Sequence, residues 1–342
     1  MPYRLAVSTE SLDADGEVIY GDIGLDRLTE AGITWEWLTA DGHDYAPGQL
    51  ADFDAIWILG HAGIGAAGLT DAPRLRHVAR FGAGYDRIDL TACTERGILV
   101  TNAPHGVRTP MVHTVVTLLF ALAHNLLPKD RLARTGDWSR NGQLRGRGVQ
   151  NATIGVVGLG GIGAATVRTL TAMGLDVVAA NRTPRPELAA ELGVRQLELP
   201  SLLEVSDYVI ITVAGGAGTR HLIGAAELAM MRPGSFLINV ARGSVVDEQA
   251  LVAALRSGHL AGAGLDVFDT EPLPSSSPLT SLDNVVLGPH SLCWTETYAQ
   301  DTAAEARSCI LAAAAGRRPD NVVNPDALPA FAERFGGVSY RI

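Results

Sequence analysis

Short apolar runs alternate with longer mixed stretches along this chain of 342 residues. Buried parallel strands joined by covering helices produce that pattern. In the first third, Arg4 to Val7, Ile33 to Leu38, Ala55 to Leu59, Leu75 to Phe81 and Ile98 to Thr101 read as strands, with a helix over Leu25 to Glu30. They predict a small α/β unit with a parallel sheet. Met111 to Leu127 is the most apolar long stretch. With His113 and His124 inside it, it is too short and too polar to span a bilayer comfortably, so it reads as a buried helix starting near Pro110. A polar, arginine-rich connection from Lys129 to Gly148 follows, too long for a simple turn.

A second alternating series opens at Thr153-Ile154. Strands are expected at Leu175 to Ala180, Tyr208 to Val213, Ser235 to Val240, Ala263 to Val267 and Val285 to Leu287. Between most of them lie the helical segments Ile162 to Met173, Pro186 to Leu192, Ala225 to Met231 and Glu248 to Ser257. This is the arrangement of a doubly wound, Rossmann-like domain. An alanine-rich helix from Thr302 to Ala315 stops at Gly316, and a tail runs from Arg317 to Ile342.

Composition narrows the class. Apolar residues at 47% and charged residues at 19% describe a folded protein with a substantial core. A formal net charge of −10 argues against a general nucleic-acid binder. The three cysteines, Cys93, Cys293 and Cys309, have neither paired nor metal-ligand spacing, so no metal and a reducing compartment are expected. The amino-terminal stretch lacks the apolar core of a signal peptide, and a cytoplasmic location without a membrane partner is the expectation.

Ile154-Gly155-Val156-Val157 runs into Gly158-Leu159-Gly160-Gly161-Ile162-Gly163, a strand entering Gly-x-Gly-x-x-Gly. The first glycine permits the tight turn, the second lets backbone approach a pyrophosphate, and the third lets helix and strand pack closely. Gly161 and Ile162 lie at the amino end of the following helix, whose free N–H groups suit phosphate. At the end of the second strand of such a domain an acidic residue would hold the adenosine ribose. Here the residue is Asn181, followed by Arg182-Thr183-Pro184-Arg185. Without the carboxylate, Arg182, Thr183 and Arg185 can hold a 2′-phosphate, so NADP(H) is expected as the preferred cofactor, with NAD(H) usable. Val213 and Val240, at the ends of later strands, complete this cofactor-binding set.

Three more residues carry reaction chemistry. Arg242, Glu271 and His290 stand one per segment, in Asn239-Val240-Ala241-Arg242-Gly243, Asp269-Thr270-Glu271-Pro272 and Gly288-Pro289-His290-Ser291. A guanidinium can hold an α-keto carboxylate, and a carboxylate-backed imidazole can pass a proton to the keto oxygen. Beside a hydride donor this set reads as a dehydrogenase.

Across nearly its whole length the chain resembles the D-isomer-specific 2-hydroxyacid dehydrogenase family. The resemblance rests on Phe81 to Asp89, the Gly158 to Gly163 fingerprint, Met231 to Gly234 with Leu237 to Gly243, Gly262 to Phe268, Glu271-Pro272 and Pro289-His290. It implies an α/β protein with two domains. One is a discontinuous flavodoxin-like substrate domain formed by residues 1–105 and 298–342. The other is a Rossmann cofactor domain over 106–297, through which a homodimer would assemble. It also implies roles. Arg242 would orient a 2-keto acid, His290 would be the proton donor, and Glu271 would hold the other ring nitrogen. The amides of Gly82, Ala83 and Gly84 would cradle the carboxylate, and Asp266 would accept from the nicotinamide carboxamide. Trp294 would supply an aromatic wall. His61, His105 and Arg108 would lie around the cleft with Tyr85, and Arg108 and His105 would favour a bulky or anionic side chain. The alternative is that Arg108 only ties the interdomain loop to the connection around Arg145.

Departures from the family pattern leave that side chain open. They are Val112-His113-Thr114 in the long helix, His105 after Pro104, Asn181, and Ala214 heading a glycine-rich run. The resulting expectation is a hydride-transferring 2-keto acid reductase. The alternatives are an NAD-dependent hydroxyacid or phosphite dehydrogenase, or a noncatalytic cofactor-sensing scaffold.

Overall fold

A computed structural model describes residues 2–335; the last part of the expected tail, 336–342, lies outside the described residues. The chain divides into two compact units. Met1–Val107 joins with the chain from Trp294 onward, and Arg108–Cys293 forms the other.

The first unit begins with β1 (Tyr3–Ser8), α1 (Leu25–Glu30), β2 (Ile33–Leu38), β3 (Ala55–Ile58), β4 (His77–Arg80), α2 (Leu90–Glu95) and β5 (Leu99–Thr101). The strands form one all-parallel sheet in the order β2-β1-β3-β4-β5, a flavodoxin-like order. β3 and β5 are buried along their whole length, which is why they read as continuous apolar runs without alternation. α2 was not expected. Its six residues are too few to show a helical period, and its clearest signal is Asp89, whose side chain caps the Ala92 amide.

The long helix α3 (Pro104–Ala123) starts six residues before its predicted start, so Pro104 occupies the tolerant first position and Pro110 sits inside the helix. Its start is fixed from a distance. The Glu305 carboxylate accepts from the amides of His105 (2.9 Å) and Gly106 (3.0 Å), satisfying donors that the helix itself leaves open. Among the described residues α3 is the one helix long and apolar enough to cross a membrane, yet 67% of its apolar window is buried, as in a core helix.

The second unit continues with α4 (Leu126–Thr135), in the region expected to be an irregular connection from Lys129. α4 buries no residue, so it has no apolar stripe to reveal it, and Gly136 at φ 72° ends it. Then follow β6 (Thr153–Val157), α5 (Gly161–Ala172), β7 (Asp176–Ala180), α6 (Pro186–Glu191), β8 (Arg195–Gln196), α7 (Leu199–Val205), β9 (Tyr208–Ile211), α8 (Ala225–Met230), β10 (Ser235–Asn239), α9 (Glu248–Arg256), β11 (Leu260–Leu265) and β12 (Val285–Leu287). The sheet order is β12-β11-β10-β9-β6-β7-β8, and every pairing is parallel. The direction of winding reverses between β6 and β9, the point where such sheets bind ligands. Leu202, Ile211, Ile223, Leu237 and Leu251 pack in the core on this sheet.

The chain then returns to the first unit through α10 (Glu296–Ala314) and α11 (Leu328–Phe335). α10 begins before the expected Thr302 because Thr295 caps the Tyr298 amide.

At the β6–α5 turn, a side chain on Gly163 would collide with the Gly158 carbonyl oxygen and the Thr212 hydroxyl. Gly163→Ala should therefore destabilise the protein by about 1–3 kcal/mol. Urea unfolding should show a lower midpoint with an unchanged slope.

Candidate active site

Val157, Ala180 and Ile211 end β6, β7 and β9 in register, so the loops that follow open at one edge of the sheet. A cavity of about 520 Å³ lies there, lined by Gly158, Gly160, Asn181, Arg182, Thr183 and Val213 among others. Gly158 adopts φ 104°, a conformation that only glycine enters without cost. Nothing stands within 4 Å of the place where Gly160 would carry a side chain, and no side chain caps α5. The turn thus offers open backbone and unsatisfied helix N–H groups to an anion.

The segment after β7 is tied to this turn. The Asn181 side chain accepts from the Leu159 amide (2.9 Å) and donates to the Thr183 carbonyl (2.7 Å). It is a latch between two loops, and it brings no negative charge. Arg182 lines the cavity next to Gly218 and makes no ion pair among the described residues. Arg185 behaves differently. Its guanidinium donates to the Leu159 carbonyl (2.9 Å), and it does not line the cavity, so the expected phosphate ligand is committed to the loop. The cavity also has a carboxylate, Glu198, which the sequence pattern did not single out. Gly161 and Ile162 open α5 and Val240 follows β10, all three outside the cavity lining.

Three adjacent strands deliver the remaining groups. Asn239, Leu265 and Leu287 are register partners along β10, β11 and β12. Arg242 comes just after the first, Glu271 follows the second, and His290 follows the third. The Arg242 loop is pinned by Asn239, whose side chain accepts from the Ala241 amide (3.0 Å) and donates to the Arg242 carbonyl (2.9 Å). The Arg242 side chain passes Gly215 so closely that a methyl group there would strike its Cγ. Gly215 in the unusual glycine run therefore has a packing reason, and neither it nor Asn239 was predicted as part of the site.

His290 sits in the left-handed region at φ 54°. Its Nδ1 lies 2.7 Å from Glu271 Oε2, while Glu271 Oε1 accepts from the Phe268 amide at 2.9 Å. Both carboxylate oxygens are thus used to hold one ring orientation. Asp266 is buried at the end of β11 and accepts from the Ser291 and Leu292 amides (3.2 and 3.3 Å). Burial pushes its carboxyl above the usual carboxylate range. In this structure Asp266 fixes the turn that carries His290, the capping role that competes with the expected carboxamide contact.

The first unit contains the glycine segment. The carbonyls of Gly82, Ala83 and Gly84 accept from the Ala103 amide (2.9 Å), the Asn102 side chain (2.8 Å) and Arg80 Nε (3.1 Å). Their amides donate to no group among the described residues, which leaves a small set of donors for an anion. Beside it Tyr20 stacks on Phe81, with ring centroids 4.6 Å apart, and meets Trp294 edge-on at 4.9 Å. His105, expected near the substrate, places Nδ1 2.5 Å from Glu305 Oε1 and is part of the capping of α3. Arg108 lies beside Gly161 in the other unit.

The description "D-isomer specific 2-hydroxyacid dehydrogenase, NAD binding domain" fits the family model that matches residues 116–291. The chain belongs to this family. It is 37% identical over 286 residues to a glyoxylate reductase of Thermococcus onnurineus, covering 82% of this chain and 85% of that one. A glyoxylate reductase of Aeropyrum pernix is 34% identical over 300 residues, covering 86% and 90%. Among solved structures, an NADPH-dependent glyoxylate/hydroxypyruvate reductase from Sinorhizobium meliloti, in complex with NADP and malonate, superposes with a TM-score of 0.82. It is 31% identical and covers 96% of this chain and 98% of its own. The chain is accordingly a hydride-transfer oxidoreductase of 2-keto and 2-hydroxy acids with an NAD(P)-binding Rossmann domain.

Asp266 also has a consequence for stability. Its raised pKa means that the folded protein holds this proton more tightly than the unfolded chain does. Its contribution to stability therefore falls as pH rises from the ordinary carboxylate value through the raised one. Asp266→Asn keeps an oxygen for the Ser291 and Leu292 amides and removes the titration. In urea unfolding, the stability of the variant relative to the unaltered protein should increase with pH across that window. A constant difference would exclude the effect.

Proposed function

We propose that the protein works as a 2-keto acid reductase in which His290, Glu271 and Arg242 are the catalytic residues. The observation that carries this reading is the 2.7 Å contact between His290 Nδ1 and Glu271 Oε2 at adjacent strand ends. With Nδ1 on the carboxylate, Nε2 is the nitrogen that gives its proton to the keto oxygen in reduction and takes it back in oxidation. Glu271 fixes the tautomer and stabilises the charge of the protonated ring. The planar fork of Arg242 holds the substrate carboxylate and polarises the keto group, a geometry that suits guanidinium better than ammonium. In the other unit, the open amides of Gly82, Ala83 and Gly84 would offer donors to a carboxylate. Asp266 positions the His290 turn and would accept from the nicotinamide carboxamide, and Trp294 would belong to the substrate-binding part.

The bound dinucleotide supplies or accepts the hydride. Gly158, Gly160, Gly161, Ile162 and Gly163 would hold its pyrophosphate, with Val213 and Val240 along its length. The open backbone at Gly160 and the uncapped start of α5 support that fit. Arg182 and Thr183 would hold a 2′-phosphate, favouring NADPH, as with the NADPH-dependent relative of Sinorhizobium meliloti. Glu198 on the same cavity supports a second reading, in which its carboxylate holds the ribose of NADH. Residues 108–293 would thus be the cofactor-binding part and the remainder the substrate-binding part. A cytoplasmic homodimer joined through the cofactor-binding part completes the proposal. The names of the relatives point to glyoxylate and hydroxypyruvate as the first substrates to try.

Purified protein assayed with NADPH and NADH against keto acids bearing small, aliphatic, aromatic and anionic groups tests the activity. His290→Ala should bind cofactor normally and reduce every active keto acid on the order of 10²- to 10⁴-fold more slowly. A near-normal rate would remove His290 from the proton transfer.

Cofactor choice is tested separately. The unaltered protein should favour NADPH at least roughly tenfold in kcat/KM, about 1.4 kcal/mol, and Arg182→Ala should weaken NADPH much more than NADH. Preference for NADH, lost on Glu198→Gln, would establish the second reading.

A further inference from the structure

We infer that Arg108 is a pyrophosphate-binding residue of the cofactor site, delivered by α3 to the fingerprint turn, and not a reader of the substrate's side chain. The inference rests on the assignment of that turn to a dinucleotide. Arg108 is half-buried, its Nε is enclosed and without a hydrogen-bond partner, and no ion pair of its guanidinium occurs among the described residues. Several exposed arginines of the same unit are paired, Arg134 with Asp130 at 2.8 Å, Arg168 with Glu191 at 2.9 Å and Arg232 with Asp207 at 3.2 Å. An enclosed guanidinium N–H without an acceptor is costly unless a ligand completes it.

Its position shows which ligand. A Cβ on Gly161 would lie 3.3 Å from Arg108 Nη2 and 3.4 Å from Nε, so the guanidinium rests against the first residue of α5. Glycine at 161 leaves room for it. The amino end of this twelve-residue helix carries a partial positive charge, and its first turn has no acidic residue. Cation beside positive helix end is an unfavourable arrangement in the free protein. A doubly charged pyrophosphate bound on the α5 amides would reverse the sign of that interaction, and a planar fork can meet two of its oxygens. Because the pyrophosphate is common to NADH and NADPH, Arg108 would strengthen both without choosing between them.

The test is equilibrium binding to the full-length protein, followed by fluorescence or calorimetry, for Arg108→Met and Arg108→Lys. With Arg108→Met, the Kd values for NADPH, NADH and ADP-ribose should all rise about tenfold, leaving the NADPH-to-NADH ratio unchanged. Arg108→Lys should recover part of the loss. The dependence of log Kd on log salt should be shallower in the methionine variant than in the unaltered protein, since one screened charge contact is gone. Unchanged ADP-ribose affinity, with a raised KM confined to keto acids bearing a second anionic group, would overturn the inference and return Arg108 to the substrate. A lowered urea midpoint with an unchanged salt slope and no rescue by lysine would overturn it in favour of a packing role. Failure of the unaltered protein to bind any of the three ligands would instead refute the dinucleotide assignment of the turn.

Discussion

Because β6, β9, β10, β11 and β12 run parallel and in register, Val157, Ile211, Asn239, Leu265 and Leu287 lie along one line across the sheet. The chemistry of the second unit lies within a few residues of that line. Parallel pairing forces every strand to end at the same edge, and each crossover helix carries the chain back before the next strand starts. Groups separated by tens of residues therefore meet without any long-range search for partners. His290 and Glu271 pair because β11 and β12 are neighbours. The fingerprint turn and the Asn181 loop are latched because β6 and β7 are neighbours.

The same edge is crowded, and glycine resolves the crowding in more than one way. At Gly158 the backbone needs a positive φ, whereas at Gly163 and Gly215 the requirement is space: for the turn carbonyl in one case and for the Arg242 side chain in the other. Gly161 is less constrained, lying in close contact with a flexible cation that arrives from another helix. A glycine-rich sequence around a nucleotide site is thus several separate packing solutions, each with its own neighbour.

Charged groups near the edge divide by whether the protein itself satisfies them. Asp266 is buried but accepts two amides, Glu271 uses both oxygens, and Arg185 is tied to a carbonyl. These groups hold loops in place. Arg182 and Arg108 have no such anchor among the described residues, and these are the two arginines proposed to meet phosphate. Arginines alike in sequence thus differ in whether the protein itself supplies their partner.

The sequence by itself determined the α/β class, nearly every strand of both sheets, the fingerprint turn and the pairing of Glu271 with His290. Fully buried parallel strands leave continuous apolar runs, and a strand running into Gly-x-Gly-x-x-Gly is a local signal. Tertiary structure decided what local signals cannot encode. α4 escaped notice because it buries nothing, α2 because it is too short to show a period, and α3 starts at Pro104 because Glu305, some two hundred residues away, satisfies its first amides. Tertiary contacts likewise sent Arg185 to the Leu159 carbonyl, His105 to Glu305, and Arg108 to Gly161. A long side chain on a loop or helix can reach several neighbours. Which one it meets depends on the packing of segments distant in sequence, and so lies beyond any reading of spacing or residue type.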